Sequence, residues 1–119
     1  DESKRDFAGK DNKEKVQHLR WMSFLNSDFI MTFVKIVYPK DEATKAEGLA
    51  SFAKHASYIN NILAEGNTKF LVADRILAAD IFAYETIRRI KEAGVNISEY
   101  PHIVKYMEEV GHHEILSNN

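Results

Sequence analysis

At 119 residues, with 45% hydrophobic and 29% charged positions, the chain has room for one domain built around one core. Sixteen basic and eighteen acidic side chains nearly cancel, and no cysteine is present, which excludes disulfides, thiolate metal sites and a cysteine nucleophile within it. Only two prolines and five glycines argue against disorder and against a turn-rich all-β fold.

Residues 1–10 lack hydrophobic periodicity and read as a linker, leaving 11–119 as the domain. The sequence begins at Asp1 rather than at methionine, which suggests a removed segment or a piece of a longer protein. From Asp11 the pattern changes. Leu19, Trp21, Met22, Leu25, Phe29, Phe33 and Val37 recur at three- and four-residue spacing, so one long amphipathic helix is expected from about Asn12 to Ile36. Asp11 or Asn12 can cap its start, and Pro39 ends it. Phe24, Ile30, Met31 and Val34 widen its apolar surface, so cover on more than one side is expected.

Asp41-Glu42 open a second helix, their charges suited to its positive end, and Gly66 stops it. Its expected buried face is Ala46, Leu49, Ala50, Ala53, Ala56, Ile59, Ile62 and Leu63, with the alanines allowing a neighbour to approach closely. Phe70-Leu71-Val72 form a short apolar link. A third helix from about Ala78 to Ala93, with Ile81, Phe82, Tyr84, Ile87 and Ile90, is apolar enough to be central, and Gly94 closes it. Ser98 or the Glu99-Tyr100-Pro101 turn opens a fourth through Ile103, Val104, Tyr106, Met107 and Val110 to Gly111, and a last turn around Ile115 and Leu116 makes about five helical pieces. With no convincing strand, the expected fold is an all-α helical bundle.

The charge pattern speaks against nucleic acid as a partner. The one basic concentration, Arg88-Arg89-Lys91, sits beside Glu85 and Glu92, as a solvated helix face does. No apolar run approaches the ~20 residues of a membrane span, and the charged start is no secretory signal. The reading is a cytoplasmic protein that avoids membranes. His18, His55 and His102 stand singly, and adjacent His112-His113 diverge by ~100° on a helix, so no metal set is completed and none is expected. Trp21 reads as an anchor at a helix or domain interface.

Three stretches carry a family resemblance. Arg20-Trp21-Met22-Ser23-Phe24-Leu25-Asn26-Ser27-Asp28 is similar to the middle of the first helix of the C-terminal domain of glutathione transferases. Phe70-Leu71-Val72-Ala73-Asp74-Arg75-Ile76-Leu77-Ala78-Ala79-Asp80-Ile81 resembles that family's Phe-Leu-x-Gly-Asp, four variable positions, Ala-Asp-Ile. Tyr100-Pro101-His102-Ile103 with Tyr106-Met107 matches the turn and helix that follow, and the insertion-free spacing is most like the bacterial branch.

The resemblance assigns Asp80 to structure. The family places Ser or Thr three residues earlier as a helix cap while the acid bonds the cap's own amide. Here that position is Leu77, so half of the device is expected to survive, at ~1 kcal/mol for the lost hydroxyl. Ala73 replaces the family's glycine, at about another 1 kcal/mol if its φ is positive.

For function, the resemblance implies that the glutathione site and its activating Tyr, Ser or Cys lie on an N-terminal thioredoxin-like domain of roughly 80 residues, absent from this chain. The isolated chain is then expected to be inactive and to bind no cofactor, with glutathione the co-substrate of a full-length homodimer. Ser27 and Asp28 match positions that contact glutathione across the dimer. Ile30, Phe33, Val34 and Tyr38, with Arg89 facing them from the central helix, are the expected pocket for a small apolar electrophile. Where bacterial members carry Leu-His-Lys, this chain has Phe29-Ile30-Met31, which removes two polar groups. The same fold also serves as a non-catalytic assembly module in the translation elongation factor gamma subunit and in tRNA-synthetase complexes. Arg20-Trp21 with Asn26-Ser27-Asp28 is similar to that version too.

Overall fold

The computed structural model describes residues 8–113, so the expected turn at Ile115 and Leu116, and Glu114, lie outside the described residues. The described residues are helical, without strands. Helix α1 (Asn12–Phe24) runs through a five-residue π turn (Leu25–Phe29) into α2 (Ile30–Val37). Asp11 caps α1, its Oδ1 accepting the Glu14 N–H at 2.9 Å. Glu14 in turn accepts from the Lys10 N–H and holds Arg75 in an ion pair at 2.8 Å, tying the helix start to the apolar link that begins at Phe70.

The first helix is therefore not one regular α-helix. The side chains of Asn26 and Ser27 donate to the carbonyls of Met22 and Ser23, where they compete for acceptors that α-helical amides would use. Leu25 and Phe29, at the two ends of the wider turn, are both fully buried. Leu19, expected on the core side, is 67% exposed, because the buried stripe is His18, Leu25, Phe29, Phe33 and Ile36. Met31 and Val34 are also exposed, so the helix is not covered on every side.

Asp41 caps α3 (Glu42–Glu65), accepting from Thr44 N–H at 2.8 Å, and Gly66 ends it with a φ of 70° that a side chain would oppose. The buried face differs from expectation. Gly48, Phe52, Ala56 and Ile59 face inward, while Ala46, Leu49, Ala50 and Ala53 are exposed. The reason is the crossing with α2. A Cβ on Gly48 would lie 2.8 Å from the Lys35 Cβ and 3.0 Å from Ile36 Cγ1, so this glycine, not the alanine series, permits the close approach.

The link buries Phe70, Leu71, Val72, Ile76 and Leu77. Its turn closes through a 3.0 Å bond from Phe70 N–H to the Ala73 carbonyl. No described non-glycine residue has a positive φ, so Ala73 carries none of the strain that its replacement of glycine would imply. Helix α4 (Ala78–Glu92) touches α1, the π turn, α2 and α5, which makes it the central helix. Gly94, at φ 107°, closes it: Gly94 N–H bonds the Lys91 carbonyl and Val95 N–H that of Ile90. Helix α5 (Pro101–Gly111) buries Ile103, Tyr106, Met107 and Val110.

Both α4 and α5 start at residues whose side chains make no cap hydrogen bond, Leu77 and Tyr100. Their exposed amides are satisfied from other helices. His18 Nε2 on α1 accepts the Ala79 N–H at 3.0 Å. Asn60 Oδ1 on α3 accepts from His102 at 2.9 Å and Ile103 at 3.2 Å. Asp80, fully buried, completes the start of α4. Its Oδ2 accepts from Leu77 N–H at 2.9 Å, and its Oδ1 from Leu71 N–H at 3.0 Å and Tyr106 O–H at 2.8 Å. Burial raises the Asp80 carboxyl above its ordinary value against the pull of these donors, and burial beside that carboxylate pushes the Tyr106 hydroxyl well up.

Candidate functional site

The residues singled out in the sequence fall in two places. Ser27 and Asp28 lie on the exposed side of the π turn. The Ser27 hydroxyl donates its hydrogen to the Ser23 carbonyl at 2.7 Å, so toward a ligand it can act only as an acceptor while that bond holds. The Asp28 charge reaches His55 on α3. Burial lowers the His55 pKa, the Asp28 carboxylate opposes that shift, and Lys54 adds to it. Both side chains are exposed on this turn, one a carboxylate and the other a hydroxyl, each able to accept from an incoming donor.

The second place joins α2 to the last turn of α4. Arg89 Nη2 donates to Tyr38 Oη at 2.5 Å, and the guanidinium lies 5.2 Å from the Phe33 ring centre and 5.7 Å from that of Tyr38. The two rings meet edge to face at 6.2 Å. Phe33 is covered, whereas Tyr38 is 60% exposed and Val34, four residues earlier on the same face, 41%. Ile30 is half-buried against the core. The structure therefore gathers Phe33, Tyr38 and Arg89, with Val34 beside them, apart from Ser27 and Asp28.

A third feature escaped the sequence reading. A groove of about 880 Å³ runs between α1 and the second half of α3, lined by Arg20, Trp21, Phe24, His55, Tyr58 and Ile62 among others. Trp21 stands 6.0 Å from Phe24 and 5.9 Å from Tyr58, and Phe24 is 5.2 Å from His55. The signal was present as His55, Tyr58 and Ile62 at i, i+3 and i+7, opposite Trp21 and Phe24.

Arg88 is held by Glu85 at 2.7 Å and Glu92 at 2.6 Å. Among the described residues no three His, Asp or Glu side chains converge as a metal site would require. No described helix is long and apolar enough to cross a membrane.

The comparisons with known proteins agree with the helical order. The family described as glutathione S-transferase, C-terminal domain, matches residues 27–118. The chain is 31% identical over 116 residues to glutathione S-transferase Y-2 of Pichia kudriavzevii, covering 98% of this chain and 60% of that protein. It superimposes with a TM-score of 0.86 on a glutathione S-transferase structure from Pichia kudriavzevii (Issatchenkia orientalis), 44% identical, over 98% of this chain and 58% of that one. A glutathione transferase structure from Methylococcus capsulatus, 22% identical with a TM-score of 0.83, covers 92% of this chain and 54% of its own, and shows the shared fold. The chain thus spans somewhat over half the length of the relatives it matches.

Proposed function

The chain belongs to the glutathione S-transferase C-terminal domain family, and we propose that it works as the acceptor-binding half of a longer, homodimeric transferase. In this reading an N-terminal thioredoxin-like domain holds glutathione and lowers its thiol pKa. The thiolate sulfur then forms a bond to the electrophilic carbon of an acceptor held against α2 and α4, and the leaving group departs with its electron pair.

The observation that carries this reading is the Arg89–Tyr38–Phe33 cluster, in which a cation ties exposed Tyr38 to buried Phe33, with Val34 also exposed on the same helix. Ile30 supports it from the core side. Ser27 and Asp28 serve the glutathione of the other subunit, their two acceptors meeting the ammonium of its γ-glutamyl end. The aromatic groove at Trp21 and Tyr58 supplies dimer contacts, where amphipathic rings are common anchors. The protein acts in the cytoplasm on small apolar electrophiles.

The test is conjugation of glutathione to a chloronitrobenzene, followed by chloride release, with the full-length protein and with the 119-residue chain. Turnover by the full-length protein alone is expected. Turnover by the short chain would place the chemistry here and contradict the proposal. Absence of turnover by either would favour the assembly-module alternative.

A further inference from the structure

We propose that Arg89 selects acceptors in which an aromatic ring carries a carboxylate. The inference rests on the reading above, that the Phe33–Tyr38–Arg89 face is the acceptor wall, and adds the charge of what binds there.

The charge balance of α4 sets Arg89 apart from its neighbour. Arg88 and Arg89 are adjacent, and the acids within reach on their own helix are Glu85 and Glu92. Arg88 takes both. Arg89 projects instead toward α2 and makes no ion pair with any described residue. Its charge is left to interact with the faces of Phe33 and Tyr38, which a guanidinium favours but which do not neutralise it.

The same contacts orient the group. A bond to Tyr38 Oη uses one of five N–H donors, and the guanidinium lies against two rings, 5.2 Å from the Phe33 centre and 5.7 Å from that of Tyr38. Arginine's planar fork matches the two oxygens of a carboxylate, and a fork already held in place loses little freedom on binding. The surface next to it is apolar: Tyr38 is exposed against the cation, Val34 is exposed one helical turn before Tyr38, and the buried Phe33 ring faces the guanidinium. An occupant that satisfies both features has a flat apolar body for Tyr38 and Val34 and one anionic group for Arg89. A wholly apolar electrophile uses only half of the wall.

The experiment compares two nearly isosteric acceptors, 4-chloro-3-nitrobenzoate and 4-chloro-3-nitrobenzamide, with the full-length protein. In both, the glutathione sulfur bonds to the ring carbon, the carbon–chlorine bond breaks, chloride takes the electron pair and the thiol proton goes to solvent. With each value divided by that acceptor's uncatalysed rate with glutathione, the expected kcat/KM for the benzoate is about tenfold above that for the benzamide, a ratio that falls to within about twofold in Arg89→Gln and is partly kept in Arg89→Lys. A parent enzyme that turns over both equally overturns this inference alone. So does a fall of both rates in Arg89→Gln with the ratio preserved, which would make Arg89 a strut between domains. A rise in the KM for glutathione that is the same with either acceptor would give the carboxylate to glutathione and also overturn it. Turnover of neither acceptor overturns the transferase reading itself and this inference with it.

Discussion

His18 Nε2 accepts the backbone N–H of Ala79 at 3.0 Å, closing the start of the central helix from 61 positions away. A helix normally finds this acceptor in its own cap residue. Leu77 is instead fully buried in the core, and the imidazole of another helix does the polar work. The domain thereby gains the burial of a leucine, worth about 1.5–3 kcal/mol, while its cap becomes a tertiary contact that forms only when α1 docks.

The bond requires an unprotonated nitrogen, and glutamine offers an equivalent acceptor that never titrates. His18→Ala should lose about 1 kcal/mol for the cap, with a further loss for the cavity left at this buried site. His18→Gln should recover part of that. Chemical denaturation at pH 7.5 checks both. Equal stability of the alanine variant and the parent would show that the contact contributes nothing.

The pH dependence follows from the direction of the shift. Burial lowers the His18 pKa from 6.5, with the Asp80 charge opposing, so the unfolded chain takes up a proton before the native one does. Stability from this group is complete above about pH 6.5 and is lost as the pH falls below it, until the native imidazole also protonates. Asp80 cannot turn to pair the imidazolium without releasing Leu71, Leu77 or Tyr106. His55, whose pKa burial also lowers, adds loss in the same window. The raised Asp80 carboxyl works the other way, since its native form protonates first on acidification and gains stability there. The difference between parent and His18→Gln, measured by thermal unfolding from pH 7.5 to 5, isolates the first effect. It should narrow as the pH falls, and parallel curves would rule out titration of His18.

Asp80 joins three segments through one carboxyl. Asp80→Ala leaves two amides and the Tyr106 hydroxyl without their buried partner, at about 1–3 kcal/mol each, so a loss of at least about 3 kcal/mol is expected. Tyr106→Phe removes one donor and should cost about 1 kcal/mol. Urea titrations of the two variants give the ordering, and a milder effect for Asp80→Ala would contradict it.

At Gly48 the helix crossing leaves no room for a methyl group. Gly48→Ala gains helix propensity of about 1 kcal/mol, yet its Cβ would meet the Lys35 Cβ at 2.8 Å. Forced overpacking costs about 1–3 kcal/mol, so net destabilisation is expected by thermal unfolding, and a raised Tm would show that α2 and α3 can separate freely.

What the sequence made legible was local. Asp11 and Asp41 as caps, and Gly66 and Gly94 as stops, are visible because each acts within a few residues of itself. The caps supplied by His18 and Asn60 were not, because a lone histidine or asparagine carries no sign of which distant amide it will meet. The inward face of α3 departs from the alanine pattern because alanines look buried by type, whereas the helix crossing at Gly48 decides which face turns inward. The π turn depends on side chains competing with their own backbone, which hydrophobic spacing does not register. Of the site residues, Phe33, Tyr38 and Arg89 do meet, since the pairing follows from an apolar face on one helix and a cation on the helix packed against it. Trp21 reads as an anchor from the sequence, but its partner Tyr58 lies in an alanine-rich stretch that gives no sign of the contact.

The central claim is that this domain shapes the acceptor site while glutathione is held chiefly by a domain outside the chain. Isothermal titration calorimetry of glutathione into the full-length protein and into the 119-residue chain tests it most directly. The account predicts saturable binding of one glutathione per subunit in the full-length protein and no measurable heat of binding with the chain alone. Equal affinity for the chain alone, or no binding by the full-length protein, would contradict it.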